Sequence, residues 1–157
     1  MKHEKELIEF FQDYCAHHET MYNYSPLTAK IYTYLMLSSD REGITFDEIV
    51  EKLNASKSSV SSSLNTLVNN AHVEHFNKID ERKRYFRVNP DYLTIRLNTI
   101  RDILAKEKNL AYRLQEYKAT KTAETKPCQM KMGIYIEHLE KATHELTNTI
   151  EKLKNSN

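Results

Sequence analysis

Glycine is nearly missing from this chain, with 2 in 157 residues. So few glycines leave little material for tight turns, and long helices are the expected form. Long apolar runs are missing too. No stretch of about 18 apolar residues occurs, which excludes a membrane-spanning helix. The opening MKHEKELIEF breaks its apolar positions with charge and offers no small-residue cleavage site, so it does not read as a secretion signal. Cysteine is limited to Cys15 and Cys128, far apart and without metal-ligand spacing. Reduced thiols in a cytoplasmic protein are the expectation. No two histidines stand four residues apart and no cysteine–histidine cluster occurs, so no metal is expected. A phosphate-cradling glycine loop, a nucleophile elbow and a metalloprotease motif are all absent. The sequence therefore gives no support to an enzyme and calls for no cofactor.

What is present is unevenly distributed. The net charge is +1. Residues 1–55 hold 5 Lys/Arg against 10 Asp/Glu, residues 56–89 hold 6 against 3, and residues 90–157 hold 12 against 9. The short middle segment has the highest density of positive charge, and a local basic patch of this kind marks a candidate nucleic-acid surface.

Hydrophobic spacing organises the chain. Residues 3–23 read as an amphipathic helix, with Leu7, Phe11, Tyr14, His18 and Met21 on one stripe and Ile8, Cys15 and Tyr22 beside it. Ser25-Pro26 starts a second helix, with serine as the cap and proline at the first turn; Ile31, Tyr34 and Leu35 face inward. Thr45 and Glu48 form a capping-box pattern for a third helix carrying Phe46, Ile49, Val50 and Leu53. Asn54-Ala55 is a short turn, and Ser56 caps the next helix. Two short helices joined this way form a helix-turn-helix. Strand formers from Val73 to Ile79 and from Tyr85 to Val88 flank a charged tip, Asp80-Glu81-Arg82-Lys83, and predict a hairpin. Asn70 is the expected turn residue between the helix and this hairpin.

A long helix follows Asn89-Pro90, with Leu93, Leu97, Ile100 and Leu104 on its stripe and Leu110, Leu114 and Tyr117 continuing it. The polar segment 118–126 predicts a break. Pro127 opens a last helix with Met132, Tyr135, Leu139, Ala142, Leu146, Thr149 and Leu153 at seam spacing. The predicted fold is mainly α with a small β-hairpin wing: a winged helix-turn-helix over 24–89, between an N-terminal helix (1–23) and a C-terminal helical region (90–157).

The segment SKSSVSSSLNTLVNN, residues 56–70, carries six serines in its first eight positions. Serine is a middling helix former because its hydroxyl competes for backbone groups. A helix that only had to be soluble would use Glu, Lys and Ala. Short hydroxyls keep a helix slim enough to lie between two phosphate walls, and they both donate and accept. The period of Val60, Leu64, Leu67 and Val68 turns Ser58, Ser59, Ser62 and Asn65 outward, with Ser61 and Ser63 on the flanks. Lys57, near the helix start, is placed to meet a phosphate or a guanine. The candidate DNA-contacting set is Ser56, Lys57, Ser58, Ser59, Ser61, Ser62 and Asn65 on the helix, with Lys78, Arg82, Lys83 and Arg84 on the wing. An arginine there is suited to a narrow minor groove, and Asp80 is the candidate partner that fixes the Arg82 fork.

Residues from about Ser25 to Asn89 resemble the winged-helix domain of MarR-type transcriptional regulators. ITFDEIVEKLNASKSSVSSSLNTLV matches their helix-turn-helix register and DERKRYF their wing, including Asp80-x-Arg82. SPLTAKIY, SKSSVSSSL and ERKRYF together are most similar to the GbsR-like branch. The resemblance implies a homodimer built through the terminal helices, an arginine at the minor groove and a cleft for small-molecule effectors. The expected function is a homodimeric repressor bound to a pseudo-palindromic operator. The alternatives are a winged-helix protein-interaction module that does not bind DNA, and a thiol-based redox sensor acting through Cys15. Tyr14, Tyr22, Tyr24, Tyr32 and Tyr34 crowd the first two helices. They read either as packing or as an aromatic cage for a quaternary ammonium effector.

Overall fold

The computed structural model describes residues 2–38, 42–79, 81–121 and 126–156, in two compact units, Met1–Tyr92 and Leu93–Asn157. The first unit contains α1 (Lys2–Tyr22), α2 (Pro26–Ser38), β1 (Ile44–Thr45), α3 (Phe46–Leu53), α4 (Lys57–Asn69), β2 (Val73–Asn77) and β3 (Arg84–Val88). It is a winged helix-turn-helix preceded by one long helix.

The helix starts follow from local chemistry. Ser25 Oγ accepts from Thr28 N at 3.2 Å and satisfies one free donor of α2. Thr45 and Glu48 complete the capping box: Thr45 Oγ1 accepts from Glu48 N, and the Glu48 carboxylate accepts from Thr45 N at 2.8 Å. Those bonds to Thr45 hold the Glu48 carboxyl below its usual range. Asn54 ends α3 in the left-handed region, at φ 47°, where an Asn side chain is tolerated. Ser56 Oγ accepts from Ser59 N and caps α4.

The core of this unit lies among α2, α3, α4 and the sheet. Ile31, Ile49, Val60 and Leu67 are fully buried, with Tyr32, Leu64, Val73 and Phe86 around them. Each such side chain contributes about 1.5–3 kcal/mol. α1 packs on α2 only along its second half. Cys15 and His18 are buried, whereas Leu7 of the expected stripe and Ile8 beside it are exposed, as is Met21 in the last turn. For Leu7 and Ile8 the reason is length. The 13 residues of α2 span about 20 Å and the 21 of α1 about 31 Å, so α2 covers only part of its neighbour.

The sheet has three antiparallel strands in the order β1-β3-β2, with Ile44 opposite Phe86 and Phe76 opposite Tyr85. The hairpin is as expected; the two-residue β1 is an addition. It places β3 in the middle and ties the wing to the start of α3. Gly43 makes this close approach feasible. Its φ is +76°, and a Cβ there would stand 2.9 Å from the Phe76 ring.

A second difference concerns the turn after α4. Asn70 has ordinary dihedrals (φ −84°), and Ala71 is the left-handed residue, at φ 57°. Asn70 instead uses its side chain: Nδ2 donates to Tyr24 Oη at 3.0 Å. Ala71 O accepts from Asn89 Nδ2 at 2.9 Å, which closes the turn.

The second unit contains most of α5 (Tyr92–Lys121) and all of α6 (Lys126–Lys154). α6 returns alongside α5, and Tyr112 Oη donates to Glu140 Oε1 at 2.5 Å while Tyr135 Oη donates to Glu107. The inner lines keep the expected Leu97, Ile100 and Leu104 on α5 and Met132, Leu139, Ala142, Leu146, Thr149 and Leu153 on α6, and depart from the expectation elsewhere. On α5 the least exposed line runs through Ile100, Leu104 and Ala111, leaving Leu110, Leu114 and Tyr117 outward. On α6 the buried line is Ile136, Leu139 and Ile150, so Tyr135 lies outside it. Two lines one residue apart both fit a three-four spacing, and packing selects between them.

Candidate nucleic-acid interface

α4 is held from beneath at three levels. Val60, Leu64 and Leu67 enter the core. Ser63, a flank position by spacing, is buried and accepts from Thr28 Oγ1 at 3.0 Å. Asn70, just past the helix, is bonded to Tyr24. The opposite face is open: Ser56, Lys57, Ser58, Ser59, Ser61, Ser62 and Asn65 are all exposed. In the first turn Ser56 Oγ donates to Ser59 Oγ at 2.8 Å and lies 3.1 Å from Ser58 Oγ, so these hydroxyls hold one another in place.

The exposed face borders two recesses. On one side Ser58, Ser59 and Ser62 share an open hollow of about 660 Å³ with Asn23 and Ser25. On the other, Ser61 and Asn65 face the wing across a hollow of about 340 Å³, with Asn77, Arg82 and Arg84 on its far wall and Phe46 at its edge. The hydroxyl helix and the arginine ribbon thus line one concave surface on one core. Pleating explains the placement of Arg84. Asn77 pairs with Arg84 and His75 with Phe86, and Phe86 is buried, so this face of the hairpin turns toward α4.

The wing lysines are placed differently. Lys78 Nζ is 3.2 Å from Glu42 Oε2 and 4.4 Å from the centre of the Tyr85 ring. Lys83 is exposed and acts electrostatically on Glu48. Lys57 lies 3.4 Å from Asp47 at the start of α3, with both side chains mostly in solvent. Asp80, the expected partner of Arg82, lies outside the described residues.

Four of the five tyrosines gather on the inner side of α1 and α2. Tyr22, Tyr24 and Tyr32 pack ring against ring with His18 and His72, and Tyr14 sits edge-on to His18. Tyr34 stands apart, lining a separate hollow with Ser38, Gly43 and Ile44. His72, just ahead of β2, is buried; its Nδ1 lies 2.5 Å from Tyr24 Oη. His18 is buried against Thr33 Oγ1 at 3.0 Å. Burial, with His17 and His72 adding to it, lowers its pKa to about 4. Burial also pushes the Cys15 thiol up, with Thr33 and Lys30 only partly opposing it. A reactive thiol needs the reverse, a lowered pKa and access.

Thr28, Ser63 and His72 were missed as anchors of the interface. A hydroxyl inside the apolar face of α2 was the one local sign of the first two. Nothing local announces the bond from Tyr24 to His72, 48 residues away.

No family model and no curated protein matches the chain. Among solved structures it is similar to a chain described as a transcriptional regulator, at 16% identity and a TM-score of 0.61, covering 96% of this chain and 99% of that one. An MepR variant from a multidrug-resistant S. aureus clinical isolate aligns at 12% identity and a TM-score of 0.44, over 96% and 94%. Staphylococcus aureus MarR, in complex with salicylate and kanamycin, aligns at 18% and 0.33, over 94% and 96%. The first of these establishes the fold that the chain shares: a winged helix-turn-helix with long helices at both ends. No helix among the described residues is long and apolar enough to cross a membrane.

Proposed function

We propose that the chain is a sequence-specific regulator of transcription that binds double-stranded DNA. It is of MarR type, nearest the GbsR-like branch, and acts as a homodimeric repressor in the cytoplasm. α4 lies in the major groove, presenting Lys57, Ser58, Ser59, Ser61, Ser62 and Asn65, with Ser56 at its start. The wing reaches the minor groove through Arg82, with Lys83 and Arg84 on the backbone. One observation carries this reading: Ser61 and Asn65 of α4 and Arg82 and Arg84 of the wing line a single recess. A groove-reading helix and a cationic ribbon have to be presented together for a duplex to meet both. Ser56, Lys57, Ser58 and Ser59 stand at the N-terminus of the 13-residue α4, where the positive end of the helix dipole favours phosphate.

The second copy covers the outward apolar residues of the helical hairpin, Ile103, Leu110, Leu114, Tyr117, Met130 and Ile134. Six large apolar side chains exposed on two adjacent helices are characteristic of an association surface. Two-fold symmetry then gives half-sites about 10 bp apart, centre to centre.

Fluorescence anisotropy on duplexes enriched from a random pool tests the contact roles. Arg82→Ala weakens binding to all enriched sequences together, by about tenfold, and reduces the salt dependence. Ser59→Ala changes the ranking of sequences more than the mean affinity. Equal, small effects of both, or no retention of any duplex by the unaltered chain at low salt, would count against the reading and favour a protein-interaction module.

A further inference from the structure

The face of the wing turned away from α4 carries a second pattern. Glu74, Phe76 and Lys78 alternate along β2 and its end, and Tyr85 and Arg87 along β3, so pleating brings them to one side. They form a ladder. Glu42 holds Lys78 at 3.2 Å. The Lys78 ammonium lies 4.4 Å from the Tyr85 ring centre. Tyr85 stacks on Phe76, with 5.8 Å between centroids and 22° between planes. Arg87 sits 4.8 Å from the Phe76 ring centre, and its Nε donates to Glu74 at 2.6 Å. A carboxylate thus closes each end, and cation, ring, ring and cation alternate between them. The Tyr85 hydroxyl donates to the Glu81 carboxylate, and Glu81 N donates to Lys78 O at 3.2 Å, so the tip is tied to the same ladder. The Glu81 bond pushes the Tyr85 hydroxyl up to about 12, which keeps it a donor.

Beside the backbone pairing of Tyr85 with Thr45, Lys78 joins this ladder to the body of the winged unit through its side chain. Glu42 precedes β1 and does not belong to the hairpin. The side chain of Lys78 is 34% exposed, against 75% for Lys57 at the start of α4. Lys57 also lies near a carboxylate, Asp47 at 3.4 Å, but with both side chains mostly in solvent. Lys78 lies along a ring and ends on a carboxylate.

We propose that Lys78 is a positioning residue. With Glu42 and Tyr85 it braces the wing from its outer face, and so fixes the angle at which Arg82 and Arg84 meet the recess beside α4. The brace itself belongs to the free protein. Its effect on DNA rests on the function proposed above.

Two measurements on the full chain test it. The first is amide hydrogen exchange in the free protein. Lys78→Gln and Glu42→Gln each lower protection across residues 76–78 and 84–86 by about three- to tenfold, in line with an exposed cation–π contact plus an ion pair. Lys78→Arg keeps both contacts and preserves protection. The second is affinity for one duplex enriched from a random pool, measured against salt concentration. Lys78→Gln and Glu42→Gln each weaken binding about three- to tenfold at an unchanged salt slope, and the double variant is no worse than either single one. Unchanged protection in both single variants overturns the proposal. So does a salt slope flattened by about one in Lys78→Gln together with tighter binding in Glu42→Gln, because that is the signature of a lysine on phosphate beside a repelling carboxylate. If the unaltered chain binds no duplex, the proposed function falls, and the brace then stands or falls on exchange alone.

Discussion

α1 aside, whose Leu7, Ile8, Phe10 and Met21 are exposed, the two compact units treat their apolar residues in opposite ways. In Met1–Tyr92 the large side chains of α2, α3, α4 and the sheet close on one another, and Ile31, Ile49, Val60 and Leu67 have no exposure. In Leu93–Asn157 the helices are long and well formed, yet Ile103, Leu110, Leu114, Tyr117, Met130 and Ile134 remain outside. The first pattern is that of a self-sufficient core. The second matches the association surface proposed above. The unit that carries the candidate DNA surface closes its own core, while the helical hairpin carries the apolar surface proposed for assembly.

The sharpest way to break this comparison is to damage each unit in turn. Leu67→Ala removes a fully buried side chain and should lower stability by about 2–5 kcal/mol, read by urea unfolding. Leu114→Glu places a charge on the outward line of α5. It should leave helix content intact and raise the dimer dissociation constant at least tenfold by sedimentation. If Leu114→Glu unfolds the chain, or leaves its assembly unchanged, the contrast between the units is wrong.

Acid provides a gentler probe of the first unit. His18 titrates near 4 in the folded chain against an ordinary 6.5, so the fold favours its neutral form. The unfolded chain binds the extra proton as pH falls through 6.5. The stabilisation is therefore complete above 6.5 and is lost progressively down to about 4, up to about 3 kcal/mol. His18→Leu should remove that part of the pH dependence in urea unfolding at pH 7 and pH 4.5. An unchanged slope would show that His18 is not the group responsible. Ala71→Gly should give the smallest effect, a gain of about 0.5–1 kcal/mol, because alanine is strained at φ 57° and glycine is not. A loss of stability would show that the turn relaxes elsewhere.

Much of this was legible in the residues, for a physical reason. Caps are local. The Thr45–Glu48 capping box, the Ser56 cap and the turn at Asn54 each need only neighbours within a few positions, and all three are where the residues placed them. The outward set on α4 was legible because buried Val60, Leu64 and Leu67 leave one free face. What escaped was non-local or degenerate. β1 exists only because Phe86 and Tyr85 stand beside it, some 40 residues on. The left-handed position after α4 fell to Ala71 because Asn70 is engaged by Tyr24. On α5 the inner line left the expected one after Leu104, and on α6 Tyr135 gave way to Ile136, because a three-four spacing does not choose between adjacent stripes. Lys78 counted as one more basic residue in the sequence, and only the pleat and Glu42 set it apart from Arg82.

The most direct test is a hydroxyl-radical and methylation footprint of the full chain on a duplex enriched from a random pool. The account predicts two protected major-groove windows about 10 bp apart, each flanked by a protected minor-groove stretch that disappears in Arg82→Ala while the major-groove windows persist. Uniform protection without periodicity, or minor-groove protection that survives Arg82→Ala, would contradict it.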